Sequence, residues 1–279
     1  MTGRGKQGMR PATPPDPTLK SRPVPRSRHF AVLPFGPASA SDIHNTAPSL
    51  EDIDEAIGID EVKRQNLGGK THVRSLLEDL YILSLPSSDD EEWEPDPTWG
   101  FYVFVTSYSD SALEYLPKAM DNWIKLAQRD LMHYGPYGAE AFRRLRMDVI
   151  ADEEALSGAS DDRIREELNA QIHGLESSGQ GQSTLARRHR GCFVLGEDLI
   201  VKLAGLTFPN DSRQDHGSFS NITVKFIDRF WKWRPLGTPF TYKGIRSCSI
   251  TSLAEIFELL ASNSLSLEEI HGLRPPFAP

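Results

Sequence analysis

Cysteine is scarce in this sequence, and long apolar runs are missing. Cys192 and Cys248 are the two cysteines in 279 residues, too few for a disulfide framework and typical of proteins from a reducing compartment. No stretch approaches the roughly 18 apolar residues that a membrane-spanning helix needs. The composition therefore predicts a soluble intracellular protein, cytoplasmic or nuclear, and disfavours a secreted disulfide-rich domain or a membrane protein.

Basic residues are also scarce beyond the N-terminus. The first 30 residues hold seven of the 31 Lys and Arg residues and one of the 39 acids, which leaves 24 basic and 38 acidic side chains, a balance of −14, for the rest. An acidic body repels phosphate backbones and anionic lipids unless its cations are concentrated locally. We therefore expect no membrane partner and weak nucleic-acid binding, while the basic tail leaves mitochondrial targeting open.

Large apolar side chains are unevenly spread along the chain. Residues 1–48 are rich in Pro, Gly and Ser and are predicted to form a disordered basic tail and linker, with no contacts to the body up to residue 40. Residues 49–273 are predicted to fold as a single α+β domain, with an acidic loop at 87–98 and a Ser/Gly-rich loop at 176–190. Residues 274–279 are again Pro-rich and are predicted to be disordered.

Hydrophobic periodicity from residue 100 onwards predicts the order β-α-β-α-β-α-β-β-α. The run Phe101–Val105 is apolar on both faces, which is typical of a buried strand. An alternating strand is expected from Ile222 to about Trp233, followed by a strand from Tyr242 to Ser249. Strands separated by helices favour parallel pairs and the last two an antiparallel pair, so we expect a mixed sheet of about five strands covered by helices. One common core is expected from the apolar faces: Phe104, Trp123, Leu145, Ile164, Leu168, Val194, Leu203, Phe226 and Phe257.

Three strings of this sequence carry a resemblance to a known group of proteins. They are Phe101–Ser109, Leu145–Ile150 and Asp152–Asp162. Together with the strand and helix order over roughly residues 70–273, they resemble a large family of uncharacterised ascomycete fungal proteins. The resemblance implies a fungal source. It implies no catalytic residues, because no activity is established for that family.

Motifs for nucleotides and metals are incomplete in this chain. The string 68–71 (GGKT) is similar to the end of a phosphate-binding loop, but Arg64 stands where that motif needs glycine and no buried strand precedes it. The eight histidines form neither His-x-His nor His-x-x-x-His, and no Cys-x-x-Cys pair occurs, so a zinc site would need distant ligands. The acids of loop 87–98 lack the spacing of a calcium loop. We predict no cofactor and no metal site.

The string 229–234 (RFWKWR) is the strongest binding signal. On a strand, its two tryptophans would share one face and its last two cations the other: Trp231, Trp233, Lys232 and Arg234. A second basic cluster lies in the loop 176–190: Arg187, Arg188 and Arg190. Aromatic rings beside cations bind unpaired bases and phosphates. We favour a different arrangement, in which both tryptophans pack under a helix and the cations face solvent, because tryptophan is usually buried.

Catalytic signals are weak. No Gly-x-Ser-x-Gly elbow is present, and Cys192 lies in an apolar strand, where a thiol is inert. Asp148 and Asp228 are interpreted as solvent-facing partners of Arg or Lys, although nothing in the sequence sets their distance. The sequence therefore predicts a non-enzymatic globular or protein-interaction domain with another protein as partner. The alternatives are a weak single-stranded nucleic-acid binder and an enzyme whose site is assembled from distant residues.

Overall fold

The computed structural model describes residues 27–34, 47–56, 71–85, 95–177, 185–208, 219, 221–231, 244–260 and 277–278. They contain eight α-helices: α1 Leu50–Ala56, α2 Thr71–Ser84, α3 Asp110–Met132, α4 Gly135–Arg143, α5 Glu153–Leu156, α6 Asp161–Ser177, α7 Glu197–Ala204 and α8 Leu253–Leu259. A 3-10 turn covers Ala186–His189. None of the described helices is long and apolar enough to cross a membrane.

Among the described residues, seven strands join in one mixed sheet. They are β1 Ser27–Val32, β2 Trp99–Val105, β3 Leu145–Asp152, β4 Gly191–Leu195, β5 Thr223–Asp228, β6 Ile245–Ser249 and β7 Phe277–Ala278. The spatial order is β1-β3-β2-β4-β5-β6-β7. Strand β2 pairs in parallel with β3 and β4, and the other neighbours pair antiparallel. The predicted α+β class and mixed sheet are confirmed, including the antiparallel pairing of the consecutive strands β5 and β6.

The two outermost strands raise the number above the expected five. Strand β1 lies inside the predicted disordered tail and pairs with β3 from Ser27 to Val32. Phe30 and Val32 also pack against the main core, so the expectation that residues 1–40 make no contact with the body is wrong for this segment. Strand β7, inside the predicted C-terminal tail, pairs with β6. Each segment forms backbone hydrogen bonds with an edge strand of the sheet. The Pro-rich composition of the two chain ends does not predict this pairing. Residues 1–26 and 35–46 lie outside the described residues.

The sheet separates the core into two layers. Helices α1, α2, α3, α4, α7 and α8 cover one face, and α5 and α6 cover the other. The expectation of one common core is therefore wrong. Five of the nine residues lie in the larger layer: Trp123, Leu145, Leu203, Phe226 and Phe257. The other four lie in the smaller layer: Phe104, Ile164, Leu168 and Val194. The physical reason is that successive side chains of a strand point to opposite faces, and here helices cover both.

Helix α3 illustrates how local sequence signals build the larger layer. The Ser109 side chain accepts a hydrogen bond from the Ala112 backbone N–H and caps the helix. Pro117 lies within the helix on its exposed side. The buried stripe faces the sheet and places Trp123 at its centre, where the Trp123 indole Nε1–H donates to the Ile250 carbonyl at 3.1 Å. The helix therefore begins at Asp110 and turns its apolar stripe inward, with Trp123 fully buried.

Two predicted segment boundaries shift. The expected loop 176–190 is shorter, because α6 continues to Ser177 and the 3-10 turn begins at Ala186. The strand expected from Ile222 to Trp233 ends at Asp228, because the chain turns at residues 229 and 230. Of the acidic loop 87–98, residues 95–98 are described and form no regular element. The remainder of that loop lies outside the described residues.

Candidate functional site

The basic cluster of the 3-10 turn is largely buried. Arg188 is 2% exposed, and its guanidinium forms an ion pair with the Asp148 carboxylate and donates to the Thr98 hydroxyl at 2.9 Å. Arg187 forms ion pairs with Asp79 of α2 and, at 2.7 Å, with Glu258 of α8. Both guanidinium groups therefore join the turn to the rest of the domain, and neither presents a free charge to a phosphate.

Asp148 is the centre of a buried ionic network. Besides its contact with Arg188, it accepts a hydrogen bond from Arg146 Nε at 3.1 Å, and Arg146 reaches Asp96 at 2.9 Å. Burial by itself would raise the pKa of Asp148, but the charges of Arg188 and Arg146 hold that pKa below its usual value. The carboxylate is therefore ionised at neutral pH. The interpretation of Asp148 as solvent-facing is wrong, although its predicted pairing with arginine is confirmed.

The two strand acids do not form a catalytic pair. Asp148 on β3 and Asp228 on β5 are separated by β2 and β4, which at about 4.8 Å per strand spacing is roughly 14 Å. Carboxyl pairs that share general acid and base work in glycoside hydrolysis lie about 5–9.5 Å apart. Asp228 is also buried and accepts from the Phe230 backbone N–H at 2.9 Å. Its interpretation as a solvent-facing acid is therefore wrong.

The thiols are unreactive by their surroundings. Cys192 and Cys248 are both free and buried. They belong to opposite core layers, so no disulfide joins them. Burial raises the pKa of each thiol far above its usual value, and a thiol rather than a thiolate is a poor nucleophile. Among the described residues, no group of three or more His, Cys, Asp or Glu side chains is arranged to hold a metal ion.

A hydroxyl and carboxylate cluster lies where the parallel strands β2 and β4 end. The Glu197 side chain accepts hydrogen bonds from the Ser109 and Ser111 hydroxyls at 2.7 and 2.8 Å, and from Ser107 at 3.3 Å. These bonds lower the pKa of Glu197. A general base is most effective when its pKa lies near the working pH. A carboxylate with a lowered pKa is a weak base at neutral pH. The hydrogen bonds of Glu197 instead join the start of α7 to the start of α3.

The turn after β5 forms a second cationic and aromatic region. We call it the Arg–Phe corner and define it by Arg190, Arg229 and Phe230. Phe230 is 57% exposed, and the guanidinium carbons of Arg190 and Arg229 lie 5.6 and 5.1 Å from the centre of its ring. Arg229 Nε donates to Asn169 at 2.8 Å. Arg190 Nε is buried and has no hydrogen-bond partner.

Trp231 packs inward, as expected, although the predicted strand ends before it. It is half-buried outside any strand and packs against the larger core layer, while the Arg165 guanidinium lies 4.8 Å from the centre of its ring. A Cβ atom on Gly244, whose φ is +72°, would lie 2.4 Å from Trp231 Cγ. These contacts leave little of the ring open to an unpaired base. Lys232, Trp233 and Arg234 lie outside the described residues.

Of the predicted binding residues, Arg190 lies beside Phe230. Phe230 was not among the predicted binding residues. Phe230 was missed because the alternating pattern suggested a strand through to Trp233. Asp228 was the one sequence signal for a turn at this point. An aspartate side chain often accepts a hydrogen bond from the backbone N–H two residues on, which starts a turn. A turn here would have indicated an outward-facing Phe230.

Comparison of this chain with protein-family models, with curated proteins and with solved structures finds no match in any of the three. The resemblance to the ascomycete family therefore stays a prediction.

Proposed function

We propose that this chain is a non-enzymatic protein-interaction domain that binds another protein through the Arg–Phe corner. The observation that carries the proposal is the exposed Phe230 ring beside the unpartnered guanidinium of Arg190. Aromatic and arginine side chains are enriched among the few residues that contribute most of the binding energy of interfaces.

The other charged clusters support this interpretation by their lack of reactive groups. The Asp148 carboxylate is held ionised by two arginines, and the Glu197 carboxylate is a weak base. His189 is buried, and burial together with the charges of Arg188 and Arg229 lowers its pKa to about 4. His189 is therefore neutral at pH 7, and its protonated form is costly. These groups stabilise the fold and do not resemble an acid and a base poised near neutral pH.

Single-stranded nucleic acid is the alternative partner, and the structure gives it less support. Polyanion binding depends on many cations that displace condensed counterions. Arg187 and Arg188 are already paired with carboxylates, and Arg165 covers part of the Trp231 ring. The surrounding body carries an excess of acids. We therefore expect weak nucleic-acid affinity at physiological salt.

Selection from a random peptide library displayed on phage tests the proposed function. The full chain is the bait, and the same chain unfolded in urea is the control bait. We expect peptides that enrich on the folded chain and then bind it saturably as synthetic peptides. Failure to enrich any peptide over the unfolded control would contradict a protein-interaction role. Saturable binding of oligothymidine with higher affinity than any peptide would favour the nucleic-acid alternative.

A further inference from the structure

We infer that the Arg–Phe corner docks a peptide segment in which a carboxylate lies next to an apolar or aromatic side chain. This inference rests on the proposed interaction function and adds the chemistry of the partner. It begins with Arg190. The neighbouring arginines use their guanidinium groups within the fold, as Arg187 and Arg188 do with carboxylates and Arg229 with Asn169. No hydrogen bond or ion pair of the Arg190 guanidinium occurs among the described residues, and its Nε is buried.

A buried donor without a partner destabilises the isolated chain. Its desolvation is not offset by a hydrogen bond, and the cost is larger when the group is charged. The buried Nε is closed to a partner, but the two terminal guanidinium nitrogens of Arg190 are not among the buried unpartnered atoms. An incoming carboxylate would accept from these two nitrogens in a bidentate geometry. Arg190 therefore indicates an anionic group on the partner.

Phe230 indicates the second feature of the partner. More than half of its surface is exposed, although large apolar side chains are usually buried. Two guanidinium groups lie within 6 Å of its ring centre. Arg229 is paired with Glu176 at 3.7 Å, so Arg190 is the cation beside the ring without a carboxylate partner among the described residues. An apolar or aromatic side chain can pack on the ring while a neighbouring carboxylate reaches Arg190.

The corner is held in place before any partner binds. The Arg229 backbone N–H donates to the Arg190 carbonyl at 3.0 Å, and the Phe230 N–H donates to Asp228. The Asp228 carbonyl in turn accepts from Arg165 Nε at 2.8 Å. These bonds fix the two binding residues relative to each other. Such preorganisation reduces the entropy lost on binding.

Charge decides between a peptide and a phosphate chain. One unpartnered guanidinium matches one or two carboxylates, whereas a nucleic acid of several phosphates needs several cations. The excess of acids in the body, 38 against 24 basic residues beyond residue 30, opposes a long polyanion more than a short segment with one or two charges. A short acidic and aromatic peptide segment therefore fits this surface best.

The test compares two peptide libraries on the full chain. One library has a fixed glutamate next to a fixed phenylalanine with random flanks, and the other has lysine in place of the glutamate. We expect enrichment from the glutamate library alone, and about tenfold weaker binding of the selected peptides to R190Q and F230A. Arg163, an exposed arginine of α6 with carboxylate partners, supplies the matched control. R163Q removes the same charge and should bind as the unaltered chain does.

Several outcomes would overturn the inference. Equal enrichment from the lysine library would contradict a carboxylate partner. Equal loss of affinity in R163Q and R190Q would show a long-range charge effect and no docking at the corner. Peptides from the unrestricted library that bind R190Q and F230A normally would place the interaction surface elsewhere and leave the proposed function intact. Circular dichroism of each variant checks that the fold is unchanged.

Discussion

Replacing Arg188 by methionine removes one partner of the most buried ion pair described in this domain. Arg188 is 2% exposed and Asp148 5% exposed. The variant leaves a buried carboxylate with Arg146 at 3.1 Å and His29 at 4.0 Å. Breaking a buried pair from one side costs about 3–5 kcal/mol. Since domains of this kind are stable by about 5–15 kcal/mol, R188M should lose a large part of its stability.

The assay is urea unfolding followed by tryptophan fluorescence, with a double-mutant cycle. R188M should lower the unfolding midpoint strongly, whereas R188M with D148L should recover much of the loss, because the second change removes the uncompensated charge. R163M, which breaks an exposed pair on α6, should cost less than about 1 kcal/mol. Additive losses in the two single variants and the double variant would refute the reasoning, as they would show no coupling between Arg188 and Asp148.

Three further predictions concern stability. Because the pKa of His189 is about 4 in the folded chain and about 6.5 when unfolded, its neutral form contributes stability that is present above pH 6.5. That contribution, about 3 kcal/mol at most, is lost as the pH falls to 4. Urea titrations across this pH range should show a smaller loss of stability in H189Q than in the unaltered chain. An identical loss in both would contradict the prediction. W123A should cost about 3–5 kcal/mol in thermal or urea unfolding, since Trp123 is fully buried, and a loss under 1 kcal/mol would argue against its central place. Deleting residues 1–26 should leave the unfolding midpoint unchanged, whereas deleting residues 1–34 should cost about 2 kcal/mol through the lost packing of Phe30 and Val32; equal midpoints would show that β1 adds no stability.

Several helices and strands could be predicted from the sequence, because the interactions that form them lie within one segment. The cap at Ser109 and the apolar stripe of α3 follow from residues within one helix. The burial of the run Phe101–Val105 follows from its apolar composition on both faces. The parallel pairing of β2 with β3 and β4 fits the helices between these strands, but β4 and β5 are also separated by a helix and pair antiparallel. These features need no knowledge of distant contacts, which is why the α+β class could be predicted.

The candidate site depends on contacts between residues that are distant in the sequence, and the sequence does not predict these contacts. Whether an arginine is free or paired is decided by residues far along the chain, as Arg188 meets Asp148 forty positions away. Arg190, two positions later in the same basic string, keeps its guanidinium without a partner. Nothing in the spacing of that string distinguishes the two residues. The folded sheet does, because it carries Asp148 to one of them and not to the other.

The sequence by itself determined the main alternation of helices and strands from residue 100 onwards, since periodicity and caps act within each segment. It did not predict the edge strands β1 and β7, whose hydrogen bonds come from an existing sheet. Only the tertiary structure decided that both faces of the sheet are covered, so that Phe104 and Trp123 belong to different layers. It also decided that the chain leaves the sheet at Asp228. That turn exposes Phe230 and packs Trp231 inward, because an aspartate hydrogen bond and the close approach of Gly244 outweigh an alternating pattern that would otherwise continue the strand.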